Sequence, residues 1–243
     1  FEEPLKDLLE VSDFFALAGN HEMFAAGRPY LDYIEKKRSL PNQRQEVPYF
    51  CLQSDKVNLI GIDTEWYDRN RVEREQDEWL GARLEEGANA GKINVLLSSV
   101  GPYNIGSEKK KLGYLGKALQ HYTDKGLIHA WFWGHNHYGA LFFWGEKTPY
   151  IGSCIGFGGY PYMIPSKKRV RNCVAKCAWV ERRPRHYGIA GVPQEQGNNG
   201  FCSMTIRPNG DLRLQYIDWR GNLRRALTLT WDKQASRLKI AGT

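Results

Sequence analysis

Apolar and polar positions fall in blocks that read as strand, helix, strand, helix, and then settle into strands alone. Residues 57–63, 93–98 and 128–133 are short, nearly continuous apolar runs, the pattern of strands buried on both faces. Residues 73–86 carry Trp79, Leu80 and Leu84 on one helical face, and residues 111–122 carry Leu112, Leu115 and Leu119. Both stretches predict helices, as does 30–37, while 4–10 predicts the end of another with Leu5, Leu8 and Leu9 together. The apolar run 14–17 predicts a buried strand. Residues 49–52 predict a strand joined to 57–63 by a polar turn at 54–56, and 140–144 and 149–155 predict two more.

Residues 156–200 break this pattern. They hold Gly156, Gly158 and Gly159, several prolines and basic runs at 167–171 and 182–185, and they predict long loops with little regular structure. Order returns with alternating strands at 201–206, 212–217 and 226–231, separated by turns at Asn209-Gly210 and Gly221-Asn222. The whole is an α/β pattern with a β-rich end.

Composition narrows the reading. Of 243 residues, 42% are hydrophobic, enough for a sizeable core and unlike a disordered chain. No apolar run approaches the roughly 20 residues that span a bilayer, so no membrane span is expected. The net charge of +7 suits anionic partners such as phosphates, nucleic acid or acidic lipid, and equally an ordinary basic surface. The five cysteines are odd in number and scattered, which argues against a disulfide scaffold and for a cytoplasmic protein. Cys173 and Cys177 lack a second zinc half-site and read as ordinary thiols. The chain opens on Phe1 rather than Met, so further sequence is expected upstream.

Candidate chemistry lies in two clusters. Gly19-Asn20-His21-Glu22 follows the run 14–17, and Gly134-His135-Asn136-His137 follows the run 128–133. Each places hydrogen-bonding and metal-ligating groups where a strand meets a loop, the place where open α/β sheets bind ligands. In an extended His-x-His segment both imidazoles share a face and can reach one site. Either cluster alone reads equally well as a polar turn. Two of them, each behind a buried strand, point to function.

With these residues in view, the chain resembles the calcineurin-like metallophosphoesterase superfamily, whose ordered blocks are D-x-H, G-D-x-x-D, G-N-H-[DE], a lone H after a strand, and G-H-x-H. Gly19 to Glu22 matches the third block and Gly134 to His137 the last. Between them, Ile60-Gly61-Ile62-Asp63-Thr64, followed by Gln76, Trp79 and Leu80, resembles the family's L-D-T strand and Q-x-x-W-L helix. The resemblance covers roughly residues 1–155.

It implies a two-sheet α/β sandwich with helices outside and a C-terminal β extension. Residues 1–155 would form the core without its N-terminal part, and 156–243 would complete the same domain. It further implies hydrolysis of phosphate mono- or diesters, with a phosphorylated small molecule or nucleotide as substrate. The cofactors would be two divalent metal ions (Mn, Fe or Zn). Asn20 and His135 would ligate one metal and His137 the second. His21 would stabilise the phosphoryl group or protonate the leaving oxygen, with Glu22 orienting it.

Two departures accompany the match. The D-x-H and G-D-x-x-D blocks are absent, and Ser99 stands where family members show the lone histidine. The departures open an alternative, a non-catalytic binding or regulatory protein on the same scaffold. Asp63 is expected to bind loop amides rather than to act in catalysis. His121 and His129 are expected to be surface or packing residues, and His186 lies in an Arg-rich loop. The residues from Gly156 to Tyr162 resemble a glycine-rich loop that in this family borders the active site. Basic runs interleaved with Tyr160, Tyr162, Trp179 and Tyr187 allow single-stranded nucleic acid binding, or simply solvated loops.

Overall fold

The computed structural model describes residues 11–37, 45–66, 72–105, 111–145, 147–159, 166–182 and 197–242. Seven strands form one sheet: β1 (Phe50–Gln53), β2 (Val57–Ile62), β3 (Ile93–Ser98), β4 (Ala130–Trp133), β5 (Gly139–Phe143), β6 (Ile151–Ile155) and β7 (Lys176–Val180). Their order is β1-β2-β3-β4-β6-β5-β7. β2, β3, β4 and β6 run parallel, with β1, β5 and β7 antiparallel to their neighbours. A second, antiparallel sheet holds β8 (Gly200–Ile206), β9 (Leu212–Asp218), β10 (Leu223–Asp232) and β11 (Arg237–Ile240). The helices among the described residues are α1 (Arg28–Lys37), α2 (Arg74–Asn89), α3 (Tyr114–Ala118), α4 (Gln120–Asp124) and α5 (Lys167–Arg171).

The parallel strands are apolar throughout because the large sheet is covered on both faces. On one face Ile60, Ile62, Leu96, Trp131 and Trp133 pack against Leu80 and Leu84 of α2, Leu115 of α3 and Tyr122 of α4. On the other, Val57, Val95, Phe132 and Ile151 pack against Leu212, Leu214, Tyr216 and Leu229 of the small sheet. β9 alternates buried and more open positions, as a strand with one packed face must. The architecture is thus the expected two-sheet α/β sandwich with helices outside, and the C-terminal strands are its second sheet.

Several local expectations need correction. Residues 14–17 form no strand. The backbone of Ala16 is satisfied instead by a side chain: its N–H donates to Gln45 Oε1 (2.7 Å), and its carbonyl accepts from Gln45 Nε2 (2.8 Å) and Tyr30 OH (3.0 Å). The helix expected over 111–122 starts later and is split into α3 and α4. Gly113, held extended, donates to the Pro102 carbonyl at 2.7 Å, and Leu119 leaves helical geometry (φ −94°, ψ 10°). The stretch 156–200 is not all loop. Ser166 caps α5, and β7 pairs with β5 at the sheet edge. Trp179, offered above as a nucleic-acid aromatic, packs against Tyr216 with ring centroids 4.7 Å apart. β11 was not anticipated. The helix expected at 4–10, His186, Tyr160, Tyr162, Tyr187 and most of the basic run at 182–185 lie outside the described residues. None of the described helices is long and apolar enough to cross a membrane.

His129 is a packing residue. Its Nδ1 accepts the Asn94 amide at 2.8 Å, its ring meets Trp231 edge-on, and burial pushes its pKa down to about 4. The unfolded chain takes up this proton below pH 6.5 and the folded protein only below about 4. Stability from this residue is therefore complete above pH 6.5 and falls as pH drops toward 4, by at most about 3 kcal/mol. In His129→Gln, which keeps an acceptor but does not titrate, that fall should disappear from denaturant unfolding curves across the window. An unchanged pH dependence would contradict the assignment.

Candidate functional site

The register of the parallel strands sets the site. Ile62 pairs with Ser98, Ser98 with Trp133, and Trp133 with Cys154, so four strands end in one row. The loops leaving that row carry Asp63 to Glu65, Ser99, Gly134 to His137, and Gly156. They are tied to one another. Gly134 N–H donates to the Ser98 carbonyl (3.2 Å), Val100 N–H to Thr64 Oγ1 (3.1 Å), and Ser99 Oγ to Glu65 Oε1 (2.8 Å). Gly156 sits so close to the next loop that an added Cβ would lie 2.3 Å from the Asn136 carbonyl oxygen. The glycine-rich segment therefore lies directly against the His135 turn.

His135 is held in an unusual conformation. Its φ is +53°, and Asn136 N–H reaches back to the Gly134 carbonyl at 2.6 Å, closing a three-residue turn about it. Turns of this hand are rare and strained for a non-glycine residue, at a cost of about 1–3 kcal/mol. The extended His-x-His geometry expected from sequence is thus replaced by tight turns, since Tyr138 N–H also bonds the Asn136 carbonyl at 2.7 Å. His135 is brought instead to Asn20, with Nδ1 and Oδ1 3.2 Å apart across 115 residues of sequence. His137, half-buried, is the middle residue of the second turn.

The loop bearing Asn20 is fixed by Glu22, whose Oε2 accepts the Gly19 amide at 2.7 Å. His21 is exposed, with its ring 4.9 Å from Phe24. A 3-10 turn, Glu22–Ala25, leads the chain away toward α1.

One participant escaped the sequence reading. Glu65 is buried, with its side chain 0% exposed, and its Oε1 lies 4.0 Å from His135 Nδ1 as well as 2.8 Å from Ser99 Oγ. Its sequence signal was a carboxylate two residues beyond Asp63 at a strand end. Asp63 behaves as expected: Oδ1 accepts the amides of Glu65 (2.8 Å) and Trp66 (3.3 Å). Burial nevertheless pushes its pKa up. The five cysteines are free; burial raises Cys173 and pushes Cys154 and Cys177 up to about 12, which favours the thiol form of these three.

Among the described residues no group of three or more His, Cys, Asp or Glu side chains is arranged to hold a metal ion. The donors that converge are mixed: an amide oxygen, an imidazole and a carboxylate. Metal–ligand bonds of about 2.0–2.2 Å allow two ligands of one ion to stand up to about 4.4 Å apart. The 3.2 Å and 4.0 Å separations around His135 Nδ1 fall within that reach, so the donor chemistry fits one divalent cation. A two-metal centre is not made by the described residues.

No family model matches the chain, and no curated protein matches it. Among solved structures the chain is similar to GAP50, described as the anchor in the inner membrane complex of Plasmodium. That likeness has 13% identity and a TM-score of 0.48, over 76% of this chain and 55% of GAP50. It is also similar to the purple acid phosphatase PPD1 from yellow lupin (Lupinus luteus) seeds, at 14% identity and a TM-score of 0.49, over 79% of this chain and 34% of that one. Likeness at this distance assigns neither activity nor partner.

The end of β2 depends on Gln76, buried on α2. Its Oε1 accepts the Asp63 amide (2.7 Å) and its Nε2 donates to the Asp63 carbonyl (2.9 Å). Gln76→Ala should leave both backbone groups without these bonds and lower unfolding free energy by about 2 kcal/mol. Urea denaturation measures this, and a loss under about 0.5 kcal/mol would contradict it.

Proposed function

We propose that the chain acts on phosphate esters as a divalent-metal-dependent phosphoesterase, hydrolysing mono- or diesters of a phosphorylated small molecule or nucleotide. The observation that carries this reading is the junction of Asn20 and His135, two residues 115 apart, at the ends of the parallel strands. The resemblance of both loops to the calcineurin-like blocks adds to it. Asn20 Oδ1 and His135 Nδ1 would hold one cation, and His137 is proposed as a ligand of a second. When bound, such a cation supplies positive charge against the phosphoryl oxygens.

The chain's own residues do the rest. His21, exposed and next to Asn20 in the sequence, would give a proton to the leaving oxygen. Glu22 acts through the backbone, holding the Gly19 amide and with it the turn that presents His21. The net charge of +7 favours the approach of an anionic ester. The cytoplasmic setting expected from the cysteines belongs to this proposal.

One observation favours a second reading, a non-catalytic binding protein on the same scaffold. Position 99 offers a hydroxyl already engaged with Glu65 in place of an imidazole. Manganese-dependent hydrolysis of a generic phosphodiester and a phosphomonoester by the full-length natural protein separates the two. We expect turnover that falls by about a hundredfold or more in His21→Ala. No turnover with manganese in excess would overturn the enzyme in favour of the binding protein.

A further inference from the structure

We propose that Glu65 is a metal ligand of this protein, replacing the donor lost at position 99; the inference rests on the metal-dependent reading above. Ser99 stands where the resemblance places a histidine, and it does not face an empty space. Its hydroxyl donates to Glu65 Oε1 at 2.8 Å, so a carboxylate from the neighbouring strand end is aimed at the position the imidazole would serve. The same oxygen is 4.0 Å from His135 Nδ1, which is 3.2 Å from Asn20 Oδ1. An ion about 2.0–2.2 Å from each donor satisfies both separations.

The chemistry agrees. A buried carboxylate is stabilised by positive charge beside it, and a divalent cation supplies such charge. An amide oxygen, an imidazole and a carboxylate make a mixed nitrogen and oxygen set suited to Mn²⁺ rather than to thiophilic ions. Ser99 then has a defined part. It is a positioning residue whose hydrogen bond orients the ligating carboxylate, as outer partners of metal ligands do. The tie from Val100 N–H to Thr64 Oγ1 holds the two loops together around this pair.

The exchange also explains how a strained His135 is worth keeping. A turn that costs about 1–3 kcal/mol holds Nδ1 3.2 Å from Asn20 Oδ1 and 4.0 Å from Glu65 Oε1.

The test is a titration of the full-length natural protein with Mn²⁺ alone, followed by calorimetry and by loss of the free-ion electron paramagnetic resonance signal. Glu65→Gln should bind Mn²⁺ at least about tenfold more weakly than the unaltered protein, the lower end of what losing even an outer partner of a ligand produces. Its melting temperature in EDTA should be little changed. The double variant Glu65→Gln, Ser99→His should regain affinity, because an imidazole at position 99 restores the missing donor. Glu65→Asp keeps the charge but draws the carboxylate back, and should weaken binding even if the glutamine variant does not fold. Equal Mn²⁺ affinity in Glu65→Gln or Glu65→Asp would overturn the role of Glu65 and leave the phosphoesterase reading standing. Absence of Mn²⁺ binding by the unaltered protein would overturn both.

Discussion

The in-register pairing of four parallel strands is the constraint on which the rest depends. Because β2, β3, β4 and β6 are hydrogen-bonded in parallel, Ile62, Ser98, Trp133 and Cys154 stand in one row. The residues after each are then delivered to one edge of the sheet. Parallel pairing demands that both faces be buried, and here the helices cover one and the small sheet the other. A slip of one residue in β3 would exchange Leu96 with Val95 between the two cores and send Ser99 away from Glu65.

Beyond the row the backbone leaves regular structure, and side chains take over what strand pairing did inside it. Two glutamines do this in the same way. Gln45 binds both backbone groups of Ala16, ahead of Asn20, and Gln76 binds both backbone groups of Asp63, ahead of Glu65. A net gain of about 1 kcal/mol per hydrogen bond is enough, over several such ties, to offset the strain at His135. The loops that carry chemistry are thus irregular in path but fixed in place.

The sandwich was legible where periodicity was strong. The continuous apolar runs of β2, β3 and β4 and the helical face of α2 with Leu80 and Leu84 are driven by burial, which sequence records directly. Residues 14–17 misled because an apolar run states that a segment is buried, not which group satisfies its backbone. Gln45 does so from outside any strand. β7 and α5 were hidden in a stretch read from its glycines and basic residues, although β7 exists because β5 presents an open edge. Asn20 and His135 could be nominated from their loops, and they do meet. The conformation of His135 could not, since positive φ at a histidine is set by neighbouring loops. Glu65 shows the limit most clearly. A carboxylate just past a strand end is only a weak signal, and it gains meaning when the pairing of Ile62 with Ser98 puts it beside Ser99.

The cation site proposed at the end of this strand row draws on Asn20, His135 and Glu65. Diffraction data from crystals of the full-length protein grown with Mn²⁺, collected at the manganese absorption edge, test it most directly. An anomalous peak contacted by Asn20 Oδ1, His135 Nδ1 and Glu65 Oε1 is the expected result. A peak whose ligands leave out Glu65, or no peak at the ends of β2, β3 and β4, would contradict it.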